Sequence, residues 1–128
     1  MIEESLSNGE ILVVDRYAYS GVAFTSAKGL DLGWCKSPDI GLPSPDVVFY
    51  LNLSIENAME RGGFGQERYE KKDFQMKVKE KFQLLKDESW IMIDANNSKD
   101  MIHQEIIEYS KKILEKNQYY PIKKLWID

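Results

Sequence analysis

The sequence predicts an α/β fold built on a parallel sheet, because strand-like and helix-like segments alternate along it. Three apolar runs, Ile11–Asp15, Val47–Leu53 and Trp90–Asp94, are short and nearly continuous. Such runs fit strands that helices cover on both faces. Parallel strands need long crossover connections, and helical patterns occupy the segments between these runs. Three strands are few for such a sheet, which usually holds about five.

Composition indicates one domain that is neither basic nor membrane-spanning. The 128 residues are 43% hydrophobic and 30% charged, with a net charge of −4. This balance gives no general attraction to nucleic acid or to anionic membranes. The single cysteine, Cys35, excludes an internal disulfide and fits a reducing compartment. No apolar run approaches the ~20 residues of a membrane span. We expect a cytoplasmic protein, with a nuclear location as the alternative.

The first half of the chain contains two predicted helices and a long connection. Residues 1–8 fit the last turns of a helix that Gly9 ends. A domain rarely begins in such a turn, so we expect the start to be cut. Residues 18–28 are predicted to be helical. The connection Gly29–Pro45 is rich in turn residues and has room for one helical turn over Leu30–Cys35.

Helical signals dominate the second half. Ser54 is a predicted cap for a short helix through Arg61, and Ser98 is one for the last helix. Two apolar stripes at helical spacing predict amphipathic helices: Phe74, Val78, Phe82 and Leu85, then Ile102, Ile106, Tyr109 and Ile113. The tail Tyr120–Trp126 is apolar enough that we expect it to dock on the body.

The first chemical cluster follows the first apolar run. Asp15 and Arg16 stand where a parallel sheet places its ligands, beyond the carboxyl end of a strand. Arginine can hold a phosphate through two parallel hydrogen bonds, and a carboxylate there can hold Mg²⁺. Ser20 and Gly21 would let a ligand approach the backbone, and Phe24 offers an aromatic face. A surface salt bridge remains the alternative for the charged pair.

The second cluster is a glycine-rich segment between two arginines. A loop of this kind can close over a phosphate, with glycine giving hinge freedom and arginine giving charge stabilisation. Its members are Arg61, Gly62, Gly63, Gly65, Glu67, Arg68, Tyr69 and Glu70, with Gln75 just after. A solvated loop tip is the alternative. Asp94–Asn97 ends the third run and could border a nucleotide base, although it also fits a plain turn.

Several common site types are excluded by residue counts. With only Cys35 and His103 in the chain, a zinc cluster of cysteines and histidines cannot form. We interpret His103 as a surface residue and Cys35 as a packing residue. The phosphate-cradling pattern Gly-x-x-x-x-Gly-Lys-Ser/Thr does not occur in these 128 residues.

Three stretches together resemble one family. Asp15–Thr25 (DRYAYSGVAFT), Trp34–Pro43 (WCKSPDIGLP) and Arg61–Glu70 (RGGFGQERYE) are similar, in this order, to segments of eukaryotic thymidylate kinases. The resemblance extends over nearly the whole chain and corresponds to the carboxyl-terminal two-thirds of the family's domain. It implies the parallel sheet of a P-loop nucleoside monophosphate kinase, with three strands present here and the P-loop strand absent.

The resemblance also implies an activity, namely Mg²⁺-dependent phosphoryl transfer from ATP to dTMP, giving dTDP. Arg16 would hold the dTMP phosphate and Asp15 would act at the metal or organise the phosphate site. The nucleoside pocket would comprise Ser20, Gly21, Phe24, Tyr69 and Gln75. Catalytic arginines would be Arg16, Arg61 and Arg68, within a lid at about 61–72. Residues near the adenine would be Arg61, Asp94, Ala95, Asn96 and Asn97, although a lysine often stands near position 97 in the family.

The absent P-loop changes what we expect of these residues alone. In the family's sheet, the strand that carries the P-loop lies between the two strands that Ile11–Asp15 and Val47–Leu53 match. We therefore expect one partial domain, 1–128, that does not turn over by itself, and a homodimer for the full-length form. Two alternatives remain open: a non-catalytic interaction module, and a deoxynucleoside kinase, which shares an Asp-Arg motif and an arginine lid.

Overall fold

A computed structural model describes residues 1–54, 56–57, 68–116 and 121–127, with the backbone alone at 68–71. The elements in chain order are α1 (Ile2–Ser7), α2 (Ala18–Ala27), α3 (Leu32–Lys36), a 3-10 turn (Ser37–Asp39), β1 (Val48–Asn52), α4 (Arg68–Leu85), β2 (Trp90–Asp94) and α5 (Lys99–Lys116). Strands β1 and β2 are parallel, with Val48 opposite Trp90 and Asn52 opposite Asp94. The predicted α/β class with parallel pairing is confirmed.

The predicted first strand, Ile11–Asp15, is wrong. This segment forms no ladder, and the sheet of the described residues has two strands, not three. Its apolar side chains face outward: Val13 is 95% exposed and Ile11 is 67% exposed. A strand exists only where a neighbour accepts and donates its backbone hydrogen bonds. The described part of the chain gives this segment no such neighbour, although its composition suits a buried strand.

The predicted helix boundaries are close to those observed. Helix α1 is followed by Gly9, whose φ of 80° is the left-handed conformation that glycine adopts without strain. The Ser54 hydroxyl accepts from the Asn57 N–H at 3.2 Å, as an N-cap does. Ser98 caps α5 in the same way, accepting from the Met101 N–H at 3.2 Å. Residues 58–67 lie outside the described part of the chain, and they include the predicted end of the Ser54 helix at Arg61 and most of the predicted glycine-rich segment.

The core lies between α2, α4 and the sheet. Trp90 is its centre, with ring centroids 5.0 Å from Tyr19, 5.8 Å from Tyr50 and 6.3 Å from Phe82. Small residues of α2, including the fully buried Ala23, let this helix approach closely. The predicted stripe on α4 supplies the opposite wall, with two buried and two half-buried members: Val78, Leu85, Phe74 and Phe82.

Helix α5 is covered less completely than the other long helix. None of its residues is buried, and the predicted stripe of Ile102, Ile106 and Ile113 is only half-buried. Its fourth member, Tyr109, is 37% exposed and contacts the Phe49 ring with centroids 6.5 Å apart. Within the described ranges, every helix is too short or too polar to cross a membrane.

The aromatic core makes stability sensitive to alkaline pH. Burial, assisted by the charge of Asp87, raises the pKa of Tyr19 from 10.0 to about 12. Because the folded state favours the neutral phenol, this stability is fully present below pH 10 and is lost as pH rises toward 12. We expect the free energy of unfolding, measured by urea denaturation at each pH, to fall across this window.

The Tyr19→Phe variant separates this effect from general alkaline denaturation. The free energy of unfolding of this variant should fall less steeply across the same window. Tyr109→Phe removes the hydroxyl of a tyrosine that is 37% exposed and should follow the parent chain. Equal slopes in the parent chain and in Tyr19→Phe would contradict the assignment.

Candidate functional site

Arg16 stands immediately before α2 in an unusual backbone conformation. Its φ is 65°, a left-handed value that side chains other than glycine adopt at a cost. Tyr17 is the N-cap of α2 and makes no capping hydrogen bond with its side chain. The first-turn N–H groups of α2 therefore receive no side-chain cap from Tyr17, and this end of the helix favours negative charge. Asp15 and Arg16 are both exposed, so a ligand can reach them.

Ser20 and Gly21 shape the next turn of α2. The Ser20 hydroxyl donates to the Tyr17 carbonyl at 3.3 Å, which fixes the side chain against the start of the helix. Gly21 is exposed, and a Cβ atom added to it would meet nothing within 4 Å. No packing of the described residues requires this glycine. The open space beside it would admit a ligand close to the backbone.

Phe24 and Phe74 form an aromatic pair where α2 packs against α4. Their ring centroids are 6.0 Å apart at 52°, and both side chains are half-buried. Gln75 follows Phe74 on α4 and is exposed. Five residues predicted for substrate binding are thus carried by α2, by the turn before it and by the adjoining helix: Arg16, Ser20, Gly21, Phe24 and Gln75.

The predicted lid is described only at its carboxyl end. Arg68 and Tyr69 lie in the first turn of α4, their side chains outside the described residues, as is all of Arg61. Lys72 forms an ion pair with Glu56, with Nζ and Oε1 3.3 Å apart. The Glu56 backbone N–H and Lys72 hold the pKa of this carboxyl below its usual value. This pair links the start of α4 to the helical residues that follow Ser54.

The segment Asp94–Asn97 forms a hydrogen-bonded turn at the carboxyl ends of both strands. The Ala95 N–H donates to the Asn52 carbonyl at 2.9 Å, and the Asn96 N–H donates to Asp94 Oδ1 at 2.9 Å. Asn57 Nδ2 also donates to Asn96 Oδ1 at 2.6 Å. The turn therefore stands where α/β sheets place ligands. It is also a complete structural motif in its own right, so its role at adenine stays a prediction.

The described residues do not form a complete metal-binding site. In the described ranges, no group of three or more histidine, cysteine, aspartate or glutamate side chains could hold a metal ion. Asp15 nevertheless suits Mg²⁺, which is commonly bound through one or two carboxylates together with substrate phosphates. The residues present fit a metal that arrives with the nucleotide.

A shallow depression on α5 does not suit a phosphate ligand. Only Asn97 among its lining residues belongs to the predicted site. The lining includes three carboxylates, which would repel a nucleotide: Asp100, Glu105 and Glu108. The depression therefore belongs to the surface of α5 and not to the site on α2.

Two contributors were not predicted from the sequence. Phe74 was interpreted as a core residue, and the sequence did not show that it pairs with Phe24. Tyr17, which occupies the N-cap position of α2 next to Arg16, was not assigned a role. Its position in Asp-Arg-Tyr was the available signal, but the partner of its hydroxyl is distant in the sequence.

A thymidylate kinase family model matches residues 1–106. The chain belongs to the thymidylate kinase family. The thymidylate kinase of Arabidopsis thaliana is 48% identical over 98% of this chain and 48% of its own length. The human thymidylate kinase is 47% identical over 98% of this chain and 61% of its own length. The chain thus spans about half to three-fifths of these relatives.

Solved structures agree with this family assignment. The thymidylate kinase of Candida albicans superimposes with a TM-score of 0.80 at 31% identity. That match covers 97% of this chain and 65% of the Candida chain. The described arrangement of helices around a parallel strand pair is therefore part of a thymidylate kinase fold.

Proposed function

We propose that this chain supplies the dTMP-binding part of an enzyme that transfers a phosphoryl group from ATP to dTMP, giving dTDP. One observation carries the proposal: Arg16 precedes an uncapped helix N-terminus, and the Phe24–Phe74 pair lies on the same helix and its neighbour. Family membership supports it, because the named relatives are thymidylate kinases.

The phosphate of dTMP would bind at the start of α2. Arg16 can offer two parallel N–H donors to a phosphate, and the first-turn N–H groups of α2 would add further donors. Because the net charge is −4, attraction must come from these local groups and not from the protein surface as a whole. The exposure of Arg16 leaves its guanidinium accessible to the ligand.

The nucleoside would lie along α2 toward α4. Phe24 would contact the thymine face with Phe74 behind it, and the space beside Gly21 would let the ligand approach the backbone. Ser20, Gln75 and Tyr69 would supply polar contacts at the rim. Such a pocket joins an apolar wall to a few placed polar groups, as small-molecule sites generally do.

The ATP side is the less complete half of the proposal. Arg61 and Arg68 would stabilise charge on the transferring phosphoryl group, and Asp94–Asn97 with Arg61 would border the adenine. Bound Mg²⁺ supplies neutralisation of phosphate charge, and Asp15 would hold it or organise the phosphate site. Since the sequence contains no Gly-x-x-x-x-Gly-Lys-Ser/Thr, we propose that these 128 residues alone do not turn over.

Three further properties are carried over from the family as proposals. The full-length protein would be a homodimer, would act in the cytoplasm or nucleus, and would bind nucleotides as small molecules without nucleic acid or membrane partners.

Calorimetric titration of the 128-residue chain with dTMP and with MgATP tests the proposal. We expect measurable dTMP binding and no ATP binding below millimolar concentrations, because the phosphate cradle is absent from the sequence. Thymidine is the matched ligand without phosphate, and it should bind more weakly than dTMP.

Each other outcome has a distinct meaning. Micromolar ATP binding would contradict the proposal that these residues lack the ATP phosphate site. Equal affinity for thymidine and dTMP would favour the deoxynucleoside kinase alternative, because that enzyme needs no phosphate site on its acceptor. Failure to bind either ligand would leave the non-catalytic interaction module as the remaining alternative.

A further inference from the structure

The carboxyl-terminal tail, residues 121–127, pairs with the loop 41–44. The Ser44 N–H donates to the Lys123 carbonyl at 2.7 Å, and the Leu125 N–H donates to the Leu42 carbonyl at 2.7 Å. In the same pairing, the Gly41 N–H donates a hydrogen bond to the Leu125 carbonyl at 2.9 Å. The Leu125 side chain is 2% exposed, so the tail is held by burial as well as by backbone bonds.

This paired loop reaches the residue beside Arg16. Pro43 lies within the pairing, and its carbonyl accepts a 2.8 Å hydrogen bond from the Tyr17 hydroxyl. A tyrosine hydroxyl is protonated at neutral pH and can donate this bond, and burial together with the charges of Asp39 and Glu3 raises the pKa of Tyr17 further. Tyr17 is both the N-cap of α2 and the neighbour of Arg16.

Trp126 makes a second connection to the same helix turn. Its ring meets Tyr19 edge-on with centroids 5.9 Å apart, and Lys36 Nζ lies 5.2 Å from its ring centroid. Tyr19 in turn contacts Tyr17, with centroids 6.5 Å apart. The tail therefore restrains the two tyrosines that follow Arg16.

Arg16 needs such restraint. A left-handed φ at a side-chain-bearing residue persists only when its surroundings determine it, because another conformation is otherwise lower in free energy. Arg16 itself is exposed, so its own packing gives little restraint. The restrained residues that follow it are its neighbour Tyr17 and, three positions along, Tyr19.

We propose that the carboxyl-terminal tail positions Arg16 for the substrate phosphate, with Leu125 and Trp126 as positioning residues that act through Tyr17 and Tyr19. This inference rests on the proposed function, since it assigns the phosphate of dTMP to Arg16. It gives the tail a role in ligand affinity in addition to its role in packing.

The ratio of the thymidine Kd to the dTMP Kd tests this role, because it isolates the contribution of the phosphate. Tyr17→Phe removes only the hydroxyl that bonds Pro43, and Trp126→Ala removes the ring beside Tyr19. We expect each variant to weaken dTMP binding about three- to tenfold and to change thymidine binding less than twofold. Trp126→Phe, which keeps an aromatic edge at Tyr19, should recover most of the ratio.

Ile122→Ala is the matched control, because Ile122 belongs to the same tail but is 41% exposed. It should leave the ratio unchanged. If the tail is purely structural, Tyr17→Phe and Trp126→Ala would weaken dTMP and thymidine binding equally, or would weaken neither. Either result would overturn the positioning role. Absence of dTMP binding in the unchanged chain would overturn the proposed function itself, and the positioning role with it.

Discussion

Replacing Trp90 with alanine is expected to lower the free energy of unfolding by about 3–5 kcal/mol, the usual cost of truncating a buried aromatic side chain. Trp90 is 7% exposed and contacts rings from α2, β1 and α4, so its loss leaves a cavity shared by three elements. A small domain has a total stability near the lower end of about 5–15 kcal/mol. Urea denaturation followed by circular dichroism measures the change.

Two tryptophan variants make the result specific. Trp90→Phe keeps an aromatic ring of similar shape in the core, so we expect a loss of only about 1 kcal/mol. Trp34→Ala truncates a side chain that is 64% exposed and should change stability by less than about 0.5 kcal/mol. Equal losses in Trp90→Ala and Trp34→Ala would show that the core is not centred on Trp90.

Arg16→Gly is expected to weaken dTMP binding about 10- to 100-fold, because it removes charge-assisted hydrogen bonds to the phosphate. Glycine is chosen over alanine because the φ of 65° suits it without strain. The stability of the fold should therefore change little, and the loss should be confined to binding. Calorimetric titration with dTMP and with thymidine gives the two affinities.

The control variants distinguish a bidentate contact from charge alone. Arg16→Lys keeps the charge but loses the paired donors, so its dTMP affinity should lie between the parent chain and Arg16→Gly. Lys28→Ala removes an exposed charge just beyond the other end of α2 and should bind dTMP as the parent chain does. Unchanged dTMP affinity in Arg16→Gly would remove Arg16 from the phosphate site.

Local chemistry is the reason that most elements were predictable. Helix α4 follows from apolar residues at helical spacing, and Ser54 and Ser98 cap helices because a hydroxyl can satisfy a free backbone N–H nearby in sequence. Strand β2 has the short apolar run and terminal carboxylate that the sequence indicated. The motif around Arg16 was predictable because its residues are contiguous.

The features that escaped prediction all depend on partners distant in the sequence. Ile11–Asp15 has the composition of a strand, but a strand needs a neighbour, and apolar pattern alone does not reveal whether one is present. The same holds for the bond from Tyr17 to Pro43 and for the Phe24–Phe74 pair. The left-handed φ of Arg16 had no local signal either, because residue type disfavours it.

The exposed segment Ile11–Val14 has a consequence for self-association. It is apolar, β-branched at three of its four positions and free of proline, the composition that favours strand pairing between separate chains. Its side chains are 37–95% exposed, and β1 has one edge unpaired among the described residues. Glu10 and Asp15 flank the segment and oppose stacking of copies through like-charge repulsion. Repulsion between copies of these two carboxylates would therefore work against aggregation, whatever role Asp15 has in binding.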